Sequence, residues 1–442
     1  MKVLLAASPL TGHVTPMLAV GRLLAERGDT VTVLTDPAFA GHVETAGFGF
    51  VPCPDHGAAS YLEHDLSPGP ARWTHEFARR FLDPMPAQAA LLRDLIRDKA
   101  PDVIVASSMF LGVLPLLQSH LPRPPIVVLN VSVLFLDRPD GTPVGIGLQP
   151  ARTEEERASH AAIGTAIEGG FVRPVRAYAD RILADLGLPP LPASLTQSIV
   201  QLPDIFLQQG VPGFEFDFGT LPPNLRFVGL LPPGASSAPR PSWWDELDGG
   251  KPVVLVTQGT LANGNFQQLL EPTLAALADR DDLLVVATTG GRSVEALTIP
   301  LPANARIASF LPFDAIFPKV DAFVTNAGYG SVLQSLTAGV PIVAAGKTED
   351  KAEVAARIGW SGAGIDLATS APTEDALRGA IERVLTEPGF RQRAQAMGAA
   401  LRATDTGGEI LTAIDALVDS HVRVEPRSPT RPRRLASAAG VR

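Results

Sequence analysis

Two long stretches of the chain alternate short β-branched apolar runs with amphipathic runs, and this alternation most constrains the fold. The runs predicted as strands in the first half are 2–8, 30–35, 48–51, 102–107, 125–132, 205–207 and 225–229. Those in the second half are 253–256, 283–288, 307–310, 322–325 and 342–345. Since helical spacing fills the gaps, we predict parallel sheets covered on both faces. The fold class is therefore α/β, with two Rossmann-like doubly wound domains that face each other across a cleft.

Domain boundaries follow from length and composition. At 442 residues the chain is too long for a single core. We predict an N-terminal domain at 1–230 and a linker at 231–250, where Pro, Gly and Ser are concentrated. The second domain is 251–422, with the alternative that its last helices return to the first domain. Residues 423–442 have no apolar periodicity and are predicted to form a disordered tail.

Charge and cysteine content exclude several classes of protein. The net charge of −9 argues against general nucleic-acid binding. The single cysteine, Cys53, rules out a disulfide scaffold and a cysteine-based zinc site. The apolar run at the N-terminus is too short for a signal peptide, and no run reaches the roughly 18 residues of a membrane span. We therefore expect a cytoplasmic protein without membrane insertion.

The segment 324–331 (Val-Thr-Asn-Ala-Gly-Tyr-Gly-Ser) has the order strand, small-residue turn, helix. Such a turn places free backbone N–H groups and the positive end of a helix dipole at one point. Gly328 lets a phosphate approach the backbone, and Ser331 adds a hydroxyl donor. A diphosphate site is one interpretation; plain strand-to-helix packing is the other.

Three further positions at predicted strand ends are chemically suggestive. His13 follows the first strand, where a histidine can act as a general base or can cap and pack. Glu349, Asp350 and Lys351 follow another strand, where they could bind sugar hydroxyls or simply favour a helix N-terminus. Phe310 is predicted to end a strand, where its ring could stack on a base or belong to the core.

Together these residues resemble the nucleotide-sugar-dependent glycosyltransferases of the GT-B fold, the macrolide, flavonoid and UDP-glucuronosyl superfamily. The resemblance covers roughly residues 1–420. It is carried by Gly12-His13, Trp243-Trp244-Asp245, the run 252–260, Phe310-Leu311-Pro312, the turn 326–331 and Asp350-Lys351.

The resemblance implies roles for individual residues. The catalytic pair would be His13, as general base, and Ser107, which stands where the family usually has the Asp that orients the base. The implied donor-binding residues are Gly12, Gln258, Gly259, Thr260, Phe310, Leu311, Asn326, Gly328, Tyr329, Gly330, Ser331, Gln334, Glu349, Asp350 and Lys351. The implied enzyme is an inverting hexosyltransferase that uses a UDP- or dTDP-sugar as co-substrate and needs no cofactor or metal.

Four residues depart from the family pattern. Asn326 replaces His, and Phe310 replaces Trp. Lys351 replaces Gln, so the identity of the transferred sugar stays open, and a sugar with a carboxylate is one of the candidates. Ser107 replaces Asp, so another acid such as Asp102 would have to orient His13, or the acceptor would have to be acidic already, as a phenol is.

Apolar residues in the first half predict a small lipophilic acceptor, although they could equally be core residues. They are Phe77, Phe81, Met85, Met109 and Phe110. Two alternatives remain at this stage: a non-catalytic nucleotide-sugar-binding auxiliary homologue, and a sugar-nucleotide epimerase on the same fold. The protein is expected to be a monomer or a homodimer.

Overall fold

The structure is a computed structural model that describes residues 1–53, 65–67, 69–231, 238–260 and 263–424. Within these ranges the chain forms two parallel sheets, each covered by helices on both faces. Residues 232–237 of the predicted linker, and 425–442 of the predicted tail, lie outside the described residues.

The N-terminal sheet has seven described strands in the order β3-β2-β1-β4-β5-β6-β7. They are β1 (Lys2–Ala6), β2 (Thr30–Thr35), β3 (Gly49–Pro52), β4 (Val103–Ser107), β5 (Ile126–Asn130), β6 (Ile205–Gln208) and β7 (Leu225–Phe227). All neighbours pair in parallel; Leu4 of β1, for example, lies between Thr32 and Ile104. The carboxyl ends of β1, β4 and β5 therefore share one edge.

The C-terminal sheet has six described strands in the order β10-β9-β8-β11-β12-β13. They are β8 (Val253–Thr257), β9 (Leu284–Thr288), β10 (Ala305–Ala308), β11 (Ala322–Thr325), β12 (Ile342–Ala344) and β13 (Gly364–Asp366). Every residue of β8, β9, β11 and β12 is buried, as expected for parallel strands covered on both sides.

Fifteen described α-helices cover the sheets. They are α1 (Thr11–Glu26), α2 (Ala40–Thr45), α3 (Pro70–Phe77), α4 (Met85–Lys99), α5 (Leu114–Leu117), α6 (Glu154–Ile167), α7 (Arg173–Asp185), α8 (Leu195–Gln201), α9 (Leu270–Ala276), α10 (Phe313–Ile316), α11 (Tyr329–Thr337), α12 (Lys351–Ser361), α13 (Glu374–Thr386), α14 (Pro388–Ala403) and α15 (Thr406–Val424). One π-helical turn, Glu168–Val172, joins α6 to α7, so the chain from Glu154 to Asp185 is helical throughout apart from a change of hydrogen-bond pattern.

The last helix crosses between the two sheets. Ile410, Ala413 and Ile414 of α15 are buried with Val3 of β1 and Leu24 of α1 in one apolar cluster. The end of the chain thus covers the N-terminal sheet. Within the predicted linker 231–250, Trp244 and Leu247 are buried and pack into a cluster of the C-terminal half.

Three local predictions differ from the structure. Helix α1 begins at Thr11, so His13 lies in its first turn rather than in a preceding loop. Strand β10 ends at Ala308, so Phe310 lies beyond the strand and not at its last position. In the segment 110–120, where helical spacing between two strands predicts a helix, the chain forms a 3-10 turn followed by the four-residue α5, because Pro115 and the short apolar run support only one helical turn.

Candidate active site

His13 lies at the carboxyl edge of the N-terminal sheet, directly after β1. Its ring is half-buried, and Nδ1 is fully buried without a hydrogen-bond partner. Burial, and second the nearby positive charge of Arg80, lower the pKa of His13 from 6.5 to about 4. The imidazole is therefore neutral at pH 7, the form that can accept a proton.

Neither residue considered as a partner of His13 fills that place. Ser107, at the end of β4, accepts the backbone N–H of Ser8 at 3.1 Å, and His13 Nδ1 keeps no bond. Asp102 accepts the N–H of Lys2 at 2.7 Å. Since Lys2 begins β1 and His13 follows its end, Asp102 stands at the opposite edge of the sheet and the prediction that it orients His13 is wrong.

The five apolar residues predicted to bind the acceptor separate into two groups. Met85 and Phe110 are fully buried in the core, so for these two residues the interpretation as core residues is correct. Phe77, Phe81 and Met109 are only partly buried beside that core. The rings of Phe77 and Phe81 lie 5.0 Å apart, and these three residues remain available to a ligand.

At the carboxyl edge of the C-terminal sheet, two turns are tied together. Asn326, after β11, donates from Nδ2 to the carbonyl of Gln258, after β8. Gln258 in turn donates to Asn265 and accepts the N–H of Leu270, each at 2.9 Å. Gly259 has a φ of +69°, and the exposed Thr260 follows it. The side chains of Gln258 and Asn326 thus shape the turns, which leaves backbone groups facing a ligand.

Helix α11 begins at this edge, with Gly328 as its N-cap. Gly330 is exposed in the first turn, and Ser331 donates to the Gly328 carbonyl at 2.9 Å. The Tyr329 side chain is buried and donates to Gln209 at 2.6 Å, so only its backbone remains at the turn. The first N–H groups of α11 have no helical acceptor and point out of the sheet edge, as an anion requires.

Three other predicted donor positions belong to the C-terminal half. Phe310 is 54% exposed, and a Cβ on Gly291 would stand 2.6 Å from the far end of its ring, so the ring lies close to the backbone at Gly291 while about half of the side chain stays open. Leu311 is buried. Gln334, one turn along α11, is half-buried and lines a cavity of about 770 Å³ between the halves.

The acidic cluster after β12 is organised around the start of α12. Asp350 is the N-cap of α12, and burial raises its pKa. Lys351 is buried and pairs with Glu349, whose φ is +50°. The ammonium of Lys351 is thereby neutralised. A cavity of about 320 Å³ at this edge is lined by Gln258, Asn326, Glu349 and Lys351, which brings four predicted donor residues together.

The two edges touch. Ser132, which follows β5 in the N-terminal half, donates from Oγ to Asp350 Oδ2. Tyr329 reaches the segment after β6 through Gln209, and Gln208 donates to the Tyr329 hydroxyl at 3.2 Å. One site is thus formed from both sheets.

Sequence reasoning missed Ser132 and a buried charged group, Glu215, Glu353 and Arg357. Glu353 and Arg357 have the spacing i, i+4, a pattern typical of exposed helix pairs. The apolar residues around them, from Val354 to Ile358, were the signal that this face is buried. No sequence pattern connects them to Glu215.

The described residues contain no group of three or more His, Cys, Asp or Glu side chains arranged to hold a metal ion. Within those same ranges, no helix combines the length and apolar character needed to cross a membrane.

Comparison with known proteins identifies the family. Residues 271–417 match the family described as erythromycin biosynthesis protein CIII-like, C-terminal domain. The chain is 37% identical over 426 residues to 4'-demethylrebeccamycin synthase of Lentzea aerocolonigenes, which covers 94% of this chain and 99% of the relative. It is 35% identical over 435 residues to UDP-glycosyltransferase 2 of Phaeomoniella chlamydospora, with 94% and 95% covered.

A solved structure supports the fold. The crystal structure of the glycosyltransferase of kitacinnamycin superposes with a TM-score of 0.72 at 23% identity, over 96% of this chain and 99% of that one. The sheet order, the two facing edges and these relatives agree. The chain is an enzyme and belongs to the nucleotide-sugar-dependent glycosyltransferases of the GT-B fold.

Proposed function

We propose that the protein is an inverting glycosyltransferase that transfers a sugar from a UDP- or dTDP-sugar to a hydroxyl, preferably phenolic, of a small lipophilic natural product. The observation that carries this proposal is the direct contact between the two sheet edges at Ser132 and Asp350. It puts the edge that carries His13 beside the edge that carries the α11 N-terminus. A base and a leaving-group site therefore share one cleft.

The donor would lie along the C-terminal edge. Its diphosphate would meet the N–H groups at Gly328 and Gly330, where the helix dipole stabilises negative charge. The base would stack on the exposed ring of Phe310, and the sugar hydroxyls would bind Asp350. The ion pair of Lys351 with Glu349 favours an uncharged sugar over a carboxylated one. No step requires a metal, because backbone donors of α11 receive the leaving charge.

The acceptor would enter from the N-terminal side, beside Phe77, Phe81 and Met109. His13 takes the proton of the acceptor hydroxyl, and the oxygen attacks C1 of the sugar from the face opposite the nucleotide. The C1–oxygen bond to phosphate breaks, and the nucleoside diphosphate leaves. One displacement inverts the anomeric centre.

The preference for a phenol follows from the state of His13. An imidazole whose pKa is about 4, without a carboxylate partner, is a weak base. A phenol, with a pKa near 10, gives up its proton far more readily than an aliphatic alcohol. The acceptor supplies the acidity that the missing carboxylate would otherwise provide.

A donor and acceptor screen tests the proposal. UDP- and dTDP-sugars are incubated with matched phenols and alcohols, products are found by mass spectrometry, and the anomeric configuration is read by NMR. We expect transfer with inversion, with phenols preferred. Retention of configuration would contradict the mechanism, and alcohols preferred over matched phenols would contradict the acceptor class. A donor incubated alone that changes its sugar would indicate an epimerase.

A further inference from the structure

One face of helix α12 is directed at the N-terminal half. Asp350, Glu353 and Arg357 are spaced i, i+3 and i+7, which places them on the same side of the helix. Each contacts the N-terminal half: Asp350 through Ser132, and the other two through buried polar bonds. The helix that begins at the candidate sugar residue therefore also contacts the opposite half at three positions.

Glu353 is bonded to a loop of the N-terminal half. Its Oε1 accepts the N–H of Gly145 at 2.7 Å and that of Gly147 at 3.0 Å. A Cβ on Gly147 would stand 2.3 Å from the carbonyl oxygen of Ala352, so the loop backbone lies directly on α12. We call residues 134–149 the acceptor loop, since they follow β5 at the sheet edge that carries His13.

Arg357 holds Glu353 in place from the other side. Its guanidinium donates to Glu353 Oε2 and to Glu215 Oε2, each at 2.6 Å, and to the carbonyl of Leu134 at 2.8 Å. Its side chain is fully buried, and those of Glu353 and Glu215 are 2% and 4% exposed. Glu215 also accepts the Leu134 N–H at 3.1 Å, so both ends of the acceptor loop are bonded to this group.

We propose that Glu353 is a positioning residue for the acceptor: it seats the acceptor loop on the helix that begins at the sugar-binding end, so a residue of the nucleotide half sets acceptor recognition. The proposal rests on the proposed function. Its physical basis is that a carboxylate accepting two backbone N–H groups fixes a glycine turn that has no regular structure of its own. Burying the Glu353 carboxylate costs free energy. Its side-chain contacts are the two N–H groups of this turn and the guanidinium of Arg357.

Two glycines of the acceptor loop make a matched pair for the test. Gly147 has a φ of +73° and Gly141 a φ of +72°, so alanine suffers the same backbone strain at both. Only Gly147 touches α12; a Cβ on Gly141 meets nothing within 4 Å. We expect Gly147→Ala to raise the acceptor KM by roughly tenfold or more, with the UDP dissociation constant unchanged, and Gly141→Ala to stay within about twofold of wild type.

Substitution at Glu353 gives an independent test. Glu353→Leu removes the acceptor of both N–H groups yet leaves Arg357 paired with Glu215, so one buried cation still faces one buried carboxylate. We expect it to raise the acceptor KM like Gly147→Ala. Glu353→Gln keeps an oxygen for the two N–H groups but turns its amide NH2 donor toward Arg357, so we expect an acceptor KM between those of wild type and Glu353→Leu.

The readouts separate this inference from the proposed function. If wild type transfers sugar but Gly147→Ala and Glu353→Leu keep the wild-type acceptor KM, the positioning role is wrong. If both variants weaken UDP and acceptor equally, Glu353 is merely structural and the inference is overturned. Hydrogen–deuterium exchange of peptides from the acceptor loop needs no substrate, so it tests the seating of the loop even if wild type transfers sugar to none of the acceptors. We expect faster exchange in Gly147→Ala and Glu353→Leu but not in Gly141→Ala. Unchanged exchange in the first two variants would contradict the proposal that Glu353 seats the loop.

Discussion

The carboxyl edges of the two sheets are held in different ways. At the C-terminal edge, Asn326 and Gln258 bond to backbone groups of neighbouring turns in the same half. At the N-terminal edge, His13 Nδ1 is buried without a partner, and the acceptor loop is bonded to Glu353 of the other half. The turns of the C-terminal edge are thus held mainly from within their own half, whereas the loop at the N-terminal edge is held by a residue of the other half. Buried polar atoms without a hydrogen-bond partner are rare and are often functional, so His13 Nδ1 is a candidate for a functional atom.

The largest effect is expected from removing the unpartnered imidazole. His13→Ala should lower transfer by about 10²–10⁴-fold, the usual contribution of a general base, while UDP binding stays the same. Turnover on a phenol and calorimetry with UDP measure the two properties. His42→Ala, at an exposed position on α2, is the control and should retain wild-type turnover. Undiminished turnover of His13→Ala on every acceptor would remove His13 from the mechanism.

The contact between the halves is tested by the charge at its centre. Arg357→Met should destabilise the protein by about 3–5 kcal/mol, because it leaves two buried carboxylates without a cation. The exposed pair of Arg383 and Glu387 has the same i, i+4 spacing. Arg383→Met should therefore change the free energy of unfolding by at most about 0.5 kcal/mol. Urea unfolding of both variants decides the point; equal, small losses would mean that the buried group does not hold the halves together.

Asp350 sharpens the comparison, since it belongs to the donor edge and yet bonds across the cleft. Asp350→Ala should weaken UDP-sugar binding by the roughly 1.5–3 kcal/mol of a charge-assisted bond, without changing the affinity for UDP. Ser132→Ala removes only the cross-cleft donor and should have a smaller effect on the same measurement. Equal losses for UDP and UDP-sugar would place Asp350 away from the sugar.

The smallest effect concerns pH. Because the pKa of folded His13 is lowered from 6.5 to about 4, the unfolded chain takes up its proton first as the pH falls through this range. In wild type, the free energy of unfolding should therefore fall as the pH falls from 6.5 toward 4. In His13→Gln this decrease should be smaller. The acid limb of kcat/KM should likewise lie near pH 4. An acid limb near 6.5 would contradict the lowered pKa and would show that a negative group pairs with His13.

Much of the fold was predictable because its signals are local. A strand buried on both faces is a short β-branched apolar run, and the predicted bounds of β2 and β11 agree with the structure to the residue. The short β13 was missed, since three residues with a glycine carry too weak a pattern. The strand predicted at 307–310 was placed too far along the chain, because apolar residues continue past Ala308, where β10 ends. Phe310 was therefore wrongly placed at the end of a strand.

The sequence by itself determined which residues stand at the carboxyl ends of the strands, including His13, the glycine turn at Gly328 and Asp350. The places of the strands along the chain and their parallel direction follow from the local apolar pattern, so these positions follow as well. Only the tertiary structure decided which of them receive partners. Glu215 and Arg357 are 142 residues apart and meet because α12 packs against the other half. Whether a buried polar group is satisfied depends on atoms from distant segments within about 3 Å, and no spacing along one chain encodes that.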